Sequence, residues 1–174
     1  DQQAELRQVL LRLVQPGEGT ADTRRRARLD DLVPAGQSID ALHALLKPLT
    51  DERLLTTGRD LVSGEETVEV SHEALIRAWP TFGQWIQQAR EELRVQLQLE
   101  TAAQEWRQSG EAPDFLWSGL RLATAEAWLT RAQARLNARD LSFLEASRAA
   151  EQAHRLAEQA ARQRELSQAQ TLVA

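Results

Sequence analysis

The sequence predicts a mainly α fold: a winged helix with a small β-hairpin wing, followed by an all-α helical bundle and arm. Three observations carry this. Apolar residues recur at helical spacing through most of the 174 residues. Two β-rich runs, Leu54-Leu55-Thr56-Thr57 and Thr67-Val68-Glu69-Val70, flank a glycine-bearing charged segment in the form of a hairpin. From Ser71 onward the pattern is entirely helical, and neither Gly nor Pro interrupts the chain from Gln84 until Gly110.

Taken in order, Leu6, Val9, Leu10, Leu13 and Val14 form one stripe of an amphipathic helix that should end before Pro16-Gly17. Thr23 to Leu29 then alternates, with Arg24, Arg26 and Arg28 on one face and Arg25, Ala27 and Leu29 on the other, which reads as a short strand. Ser38 is placed to cap a helix carrying Ile39, Leu42, Leu45, Leu46 and Leu49, with Pro48 either kinking it or ending it at Lys47. The hairpin with its long tip follows. Helix, strand, helix and two-stranded wing is the order of a winged helix.

Ser71 can cap a short helix running through Ala78-Trp79, which Pro80 stops while Thr81-x-x-Gln84 supplies a capping box for the next. That next helix, with Phe82, Trp85, Ile86, Ala89 and Leu93 on one face, should reach about 28 residues and about 42 Å. Pro113-Asp114 opens a turn, and Leu122, Ala125, Trp128, Leu129 and Ala132 mark another helix. The last helix starts either at Asn137, with Asp140 three residues on and Leu136 stapled to Leu141, or at Ser142-x-x-Glu145. From Ala146 to Ala169 it is thinly apolar, with Glu151-Arg155 and Glu158-Arg162 spaced to support it in water. The expected division is a winged helix at 1–80, a helical bundle at 81–136 and a long connecting helix at 137–174.

Composition excludes several function classes. With 42% hydrophobic and 27% charged residues and a net charge of −5, the chain reads as soluble and intracellular. No window approaches the roughly 18 apolar residues of a membrane span, and no signal peptide is recognisable. Cys 0 removes disulfides, zinc fingers, thiolate clusters and cysteine nucleophiles. The single lysine, Lys47, precedes Pro48 where a phosphate loop needs Ser or Thr, so no Walker A motif exists here. Met 0 and the start Asp1-Gln2-Gln3 read as a piece excised from a longer polypeptide, and the Arg- and Ala-rich, Lys-poor composition hints at a bacterial source.

Few residues are candidates for chemistry. Ser71-His72-Glu73 lies at a strand-to-helix junction, where His72 at a first helical position could donate to a phosphate oxygen, or where Ser71 and Glu73 simply cap and complement the helix dipole. His72 to Ile76 fails as an HExxH zinc site because Ile76 occupies the second ligand position. Arg24, Arg25, Arg26 and Arg28 could meet phosphate, nucleic acid or an acidic partner, or form a solvated face offset by Asp22, Asp30 and Asp31. Ser38 to Thr50 offers only His43 and Lys47 as cations and no array for base edges, so nucleic acid is not an expected partner. His43, sharing a face with Ile39 and Leu46, should be partly buried, and His154 should face solvent. Most of the five tryptophans, Trp85 and Trp128 foremost, should pack a helical core rather than stack on a ligand. No residue stands out as a catalytic group or metal ligand.

Several segments together resemble one family. Thr23-Arg24-Arg25-Arg26, the run Val68 to Pro80 with Ser71-His72-Glu73-Ala74-Leu75-Ile76-Arg77-Ala78-Trp79, and Gln84-Trp85-Ile86 are similar to the winged-helix part of bacterial STAND signalling NTPases, relatives of the apoptosome and NLR proteins. The likeness continues through Glu105-Trp106, Pro113 to Leu122 and Phe143 to Ser147. It implies a module after an upstream P-loop ATPase domain and before downstream sensor repeats of WD40 or TPR type. In that family a histidine ending the wing, in a motif often written MHD, contacts the β-phosphate of ADP in the resting state. His72 matches that histidine, with Ser71 and Glu73 in place of Met and Asp.

The resemblance implies no cofactor for these residues in isolation, with ADP or ATP and magnesium held by the parent protein. It also implies no enzymatic activity here, interdomain contacts through Arg24, Arg25 and Arg26, cytoplasmic location, and homo-oligomerisation on activation. The expected function is regulatory, coupling the nucleotide state of the ATPase to a sensor. The alternatives are a DNA-binding winged-helix regulator and a protein–protein adaptor module.

Overall fold

The computed structural model describes residues 2–132 and 135–173. Its first helix, α1, is Gln2–Leu11, shorter than its apolar stripe suggested. Arg12 and Leu13 donate to the carbonyls of Val9 and Leu10 in tight turns, and the chain then enters strand β1, Val14–Gln15. Leu13 and Val14 remain buried because this turn delivers them to the same core by another route.

The expected strand from Thr23 to Leu29 is divided. β2 (Thr23–Arg24) pairs antiparallel with β1, whereas β3 (Ala27–Arg28) pairs with a different sheet, and Leu29 already belongs to the short helix α2, Leu29–Leu32. The alternation of faces nevertheless holds: Ala27 and Leu29 are buried, while Arg24 and Arg26 are exposed.

Ser38 caps α3 (Ile39–Asp51), its hydroxyl accepting from the Asp40 amide at 3.1 Å. The helix runs through Pro48 to Asp51 instead of ending at Lys47, forgoing only the hydrogen bond that proline cannot donate. Leu42 and Leu46 face the core, which turns His43 outward. The expectation of a partly buried His43 is therefore corrected: its side chain is 47% exposed, with Nε2 at 3.2 Å from Glu66 Oε2.

β4 (Leu55–Arg59) and β5 (Glu66–Val70) form the hairpin in continuous register from Leu55↔Val70 to Arg59↔Glu66, and β3 completes the sheet in the order β3-β5-β4. At its tip Asp60 Oδ1 accepts from the amides of Val62 and Ser63, and Gly64 takes φ +73°, a conformation that favours glycine. This turn presents Leu61 and Val62 almost wholly to solvent.

Helix α4 is Ala74–Ala78, with Glu73 at its N-cap position in a helical conformation and making no side-chain cap. Ser71 thus does not cap it, and His72 precedes the helix rather than opening it. α5, Pro80–Gln108, starts at Pro80 itself, where a proline loses no helical hydrogen bond, so Thr81 lies inside the helix and no capping box forms. Its 29 residues span about 43 Å. After a short 3₁₀ turn, Pro113–Phe115, come α6 (Gly119–Ala132) and α7 (Ala138–Val173). Asn137 starts α7: its Oδ1 accepts from the Asp140 amide at 2.8 Å.

Two apolar cores result, both drawing on α5. The first gathers Leu10, Leu13, Leu29 and Val68 around Phe82 and Ile86 of α5. The second gathers Phe143 and Leu144 of α7 with Leu99 and Trp106 of α5, Trp117 meeting Phe143 edge-on at 5.4 Å. Trp128 also packs there, while Trp79 and Trp85 are half-buried over the first core. Beyond Glu151, α7 is exposed over every residue whose side chain is described, His154 included.

Candidate functional site

The strand β5 ends where the hairpin meets α4, and its last hydrogen bonds fix the residues that follow. The Ser71 amide donates to the Leu54 carbonyl at 3.0 Å, and the Ser71 and Thr56 hydroxyls bond each other at 2.8 Å. The guanidinium of Arg24, reaching from β2, donates to the Ser71 carbonyl at 3.2 Å. His72 follows with its carbonyl accepting from the Leu75 amide at 2.9 Å. Its backbone is therefore held on both sides, while its imidazole is exposed and makes no hydrogen bond or ion pair among the described residues.

The three arginines proposed to act together diverge. Arg24 goes to Ser71, beside His72. Arg26, two residues on, pairs with Glu69 of β5 at 2.7 Å on the exposed face. Arg25 turns the other way, donating to the Arg12 carbonyl and placing Nη2 at 2.8 Å from Glu100 Oε2. Arg28, with Glu65 and Asp31, is likewise engaged. The structure thus brings Ser71, His72 and Arg24 to one corner and leaves Arg25 and Arg26 outside it.

Chemically that corner offers an exposed imidazole and a partly committed guanidinium, both able to donate to an anionic oxygen arriving from outside. It holds no nucleophile joined to a base, and among the described residues no three His, Asp or Glu side chains gather to hold a metal ion. These groups fit one phosphate contact and do not form a cradle for a whole nucleotide.

A second arrangement escaped the sequence reading. Glu100 of α5 is 3% exposed, and its Oε1 accepts from Arg12 Nε at 2.9 Å and from Gln96 at 3.3 Å. Arg25 faces its other oxygen without the alignment of a hydrogen bond. Nearby, Asp140 of α7 is 1% exposed, and burial pushes its carboxyl up to about 6, against the pull of Arg139 and Arg12 and reinforced by Glu100. Arg139 bridges Asp140 to Asp31 of α2, and Asn137 donates to the Asp31 carbonyl at 2.8 Å. Charged groups thus seam the start of α7 to α2, and Arg12 and Arg25 to α5. The only signals for this in the sequence were Arg12 inside an apolar run and Asp140 behind Asn137.

A family model described as Novel STAND NTPase 1 matches residues 1–114. No curated protein and no solved structure matches the chain. No described helix is long and apolar enough to cross a membrane.

Proposed function

This chain belongs to the Novel STAND NTPase 1 family, and on that footing we propose that it is the regulatory part of a STAND-type signalling ATPase. Residues 1–80 act as a winged helix that holds the nucleotide-bound resting state, and the helices that follow couple that state to a sensor. The observation that carries this is His72: an exposed imidazole without a partner among the described residues, on a backbone fixed by Leu54, Arg24 and Leu75. A side chain held ready at a rigid corner suits a contact that forms only when another domain closes on it.

In this reading ADP or ATP with magnesium sits in an upstream P-loop domain of a cytoplasmic, bacterial parent protein. His72 and Arg24 reach toward the phosphates, Ser71 fixes the backbone, and the arm leads to WD40 or TPR repeats and to homo-oligomerisation on activation. The absence of a Walker A sequence from these residues leaves hydrolysis to that domain. A DNA-reading role gains nothing from α3, whose Lys47 is bound by Asp51 and whose His43 meets Glu66.

The test is the rate of ADP release from the full-length protein carrying His72→Ala. One hydrogen bond to phosphate is worth about 1 to 3 kcal/mol, a fivefold to hundredfold loss of affinity. The variant should release ADP faster by that order and signal without stimulus. Unchanged release from a folded variant removes His72 from the nucleotide.

A further inference from the structure

Between α1, α3, α5 and the end of α6 lies a cavity of about 130 Å³. It opens to solvent on one side, and a concave, largely apolar space at the meeting of four helices suits an apolar occupant. Its buried wall is apolar, formed by Val9, Leu42, Leu93 and Trp128, and the exposed Gln8 and Ala41 mark its mouth.

The charged groups on the wall decide what that occupant is. Four of them line the cavity, Glu5, Arg12, Glu92 and Arg135, and each already faces an opposite charge. Arg12 is taken by Glu100, Arg135 lies at 3.3 Å from Glu5, and Glu92 lies at 3.8 Å from Arg131. A charged ligand would enter a mainly apolar space with no free counter-charge, at the expense of its own hydration. A neutral one meets no such penalty, and the Gln8 amide, without a partner among the described residues, can bond one polar group at the mouth.

We propose that this cavity is a binding site for a small neutral molecule of about one ring, apolar over most of its surface and carrying a single hydrogen-bonding group. The size agrees with the known capacity of dry apolar cavities, since one of about 150 Å³ accepts benzene. The site draws Val9 and Leu42 from the first core and Trp128 from the second, so an occupant ties the two together. By mass action it stabilises the arrangement that forms the cavity. This inference is independent of the role proposed for His72.

Phenol is the probe, with benzoate as its charged counterpart. Phenol at millimolar concentration should give saturation-transfer NMR signals with the chain and raise its melting temperature, and benzoate should bind at least about tenfold more weakly. Ala41→Phe fills the mouth from an exposed position that folding does not depend on, and Ala132→Phe fills the cavity from α6. Loss of phenol binding in either variant, with its helical circular dichroism intact, supports the site. Absence of phenol binding to the native chain overturns it, as does binding that survives in both folded variants. Benzoate binding as tightly as phenol overturns the assignment of a neutral ligand.

Discussion

Raising the pH from about 4 to 7 should weaken this protein through Asp140, against the usual behaviour of its carboxylates. Burial lifts the Asp140 carboxyl from 3.8 to about 6 in the folded chain. Between those values the folded protein keeps the proton while the unfolded chain releases it, so the folded state binds more protons and stability falls as pH rises. Two units at 1.36 kcal/mol each set the loss at about 3 kcal/mol, fully incurred once the pH has passed the folded value. Asp22, Asp60 and Glu65 act in the opposite sense, because their partners hold them below the ordinary carboxylate range. Asp140→Asn separates the two effects. It leaves the other carboxyls in place and keeps an oxygen to accept from Asn137 or Arg139, whose bonds to Asp140 are each 3.0 Å. Urea denaturation of both proteins across this range should show the variant gaining on the native chain by up to about 3 kcal/mol, with the difference level above pH of about 7. A difference that stays flat, or that favours the native chain as pH rises, would refute the reasoning.

Glu100→Ala should cost about 3 to 5 kcal/mol in urea unfolding, because it strands the buried Arg12 without its counter-charge. A loss below about 1 kcal/mol would show that solvent reaches the cluster. Arg26→Ala should leave the melting temperature almost unchanged, the arginine lying on an exposed face, whereas Arg25→Ala should lower it clearly. Equal losses in the two melts would contradict the division of roles between these neighbours. Among the described side chains, ending the chain after Gln152 removes only exposed ones and keeps Glu151, which accepts from the Gly119 amide at 3.3 Å, so its thermal unfolding should stay within about 1 kcal/mol of the intact chain. A larger fall would make the distal part of α7 a structural element.

Periodicity revealed what local physics decides. The hairpin register, the Ser38 cap and the long uninterrupted helix each follow from residue types within a few positions of one another. Two of the errors have their cause in longer-range pairing. Val14 leaves the first helix because Arg24 offers it a strand partner, and the Thr23–Leu29 run divides because β1 and β5 compete for its two ends. His43 lies one position from Leu42, a rotation of about 100° that suffices to place it in solvent. At the candidate site, the strand-to-helix junction was legible, but neither the place of His72 ahead of α4 nor the fate of the arginines was. A strand pattern states which face a side chain takes, and Glu100, far away in sequence on α5, settles what Arg25 finds there. Glu100 itself gave no warning, since one glutamate on a polar helix looks like any other.

The continuity of α5 governs how the molecule comes apart. Phe82 and Ile86 anchor one end of this helix in the first core, and Leu99 and Trp106 anchor the other in the second, with Glu100 gripped by Arg12 beside the boundary. Neither core can open without baring apolar residues on a helix that the other still holds. While the ion cluster stands, the two halves therefore melt in one cooperative step, and the slowest-exchanging amide protons should run without a break from Phe82 to Trp106. Once that grip is lost, the unbroken run of α5 through both cores is what keeps the transition single, at a lower urea midpoint.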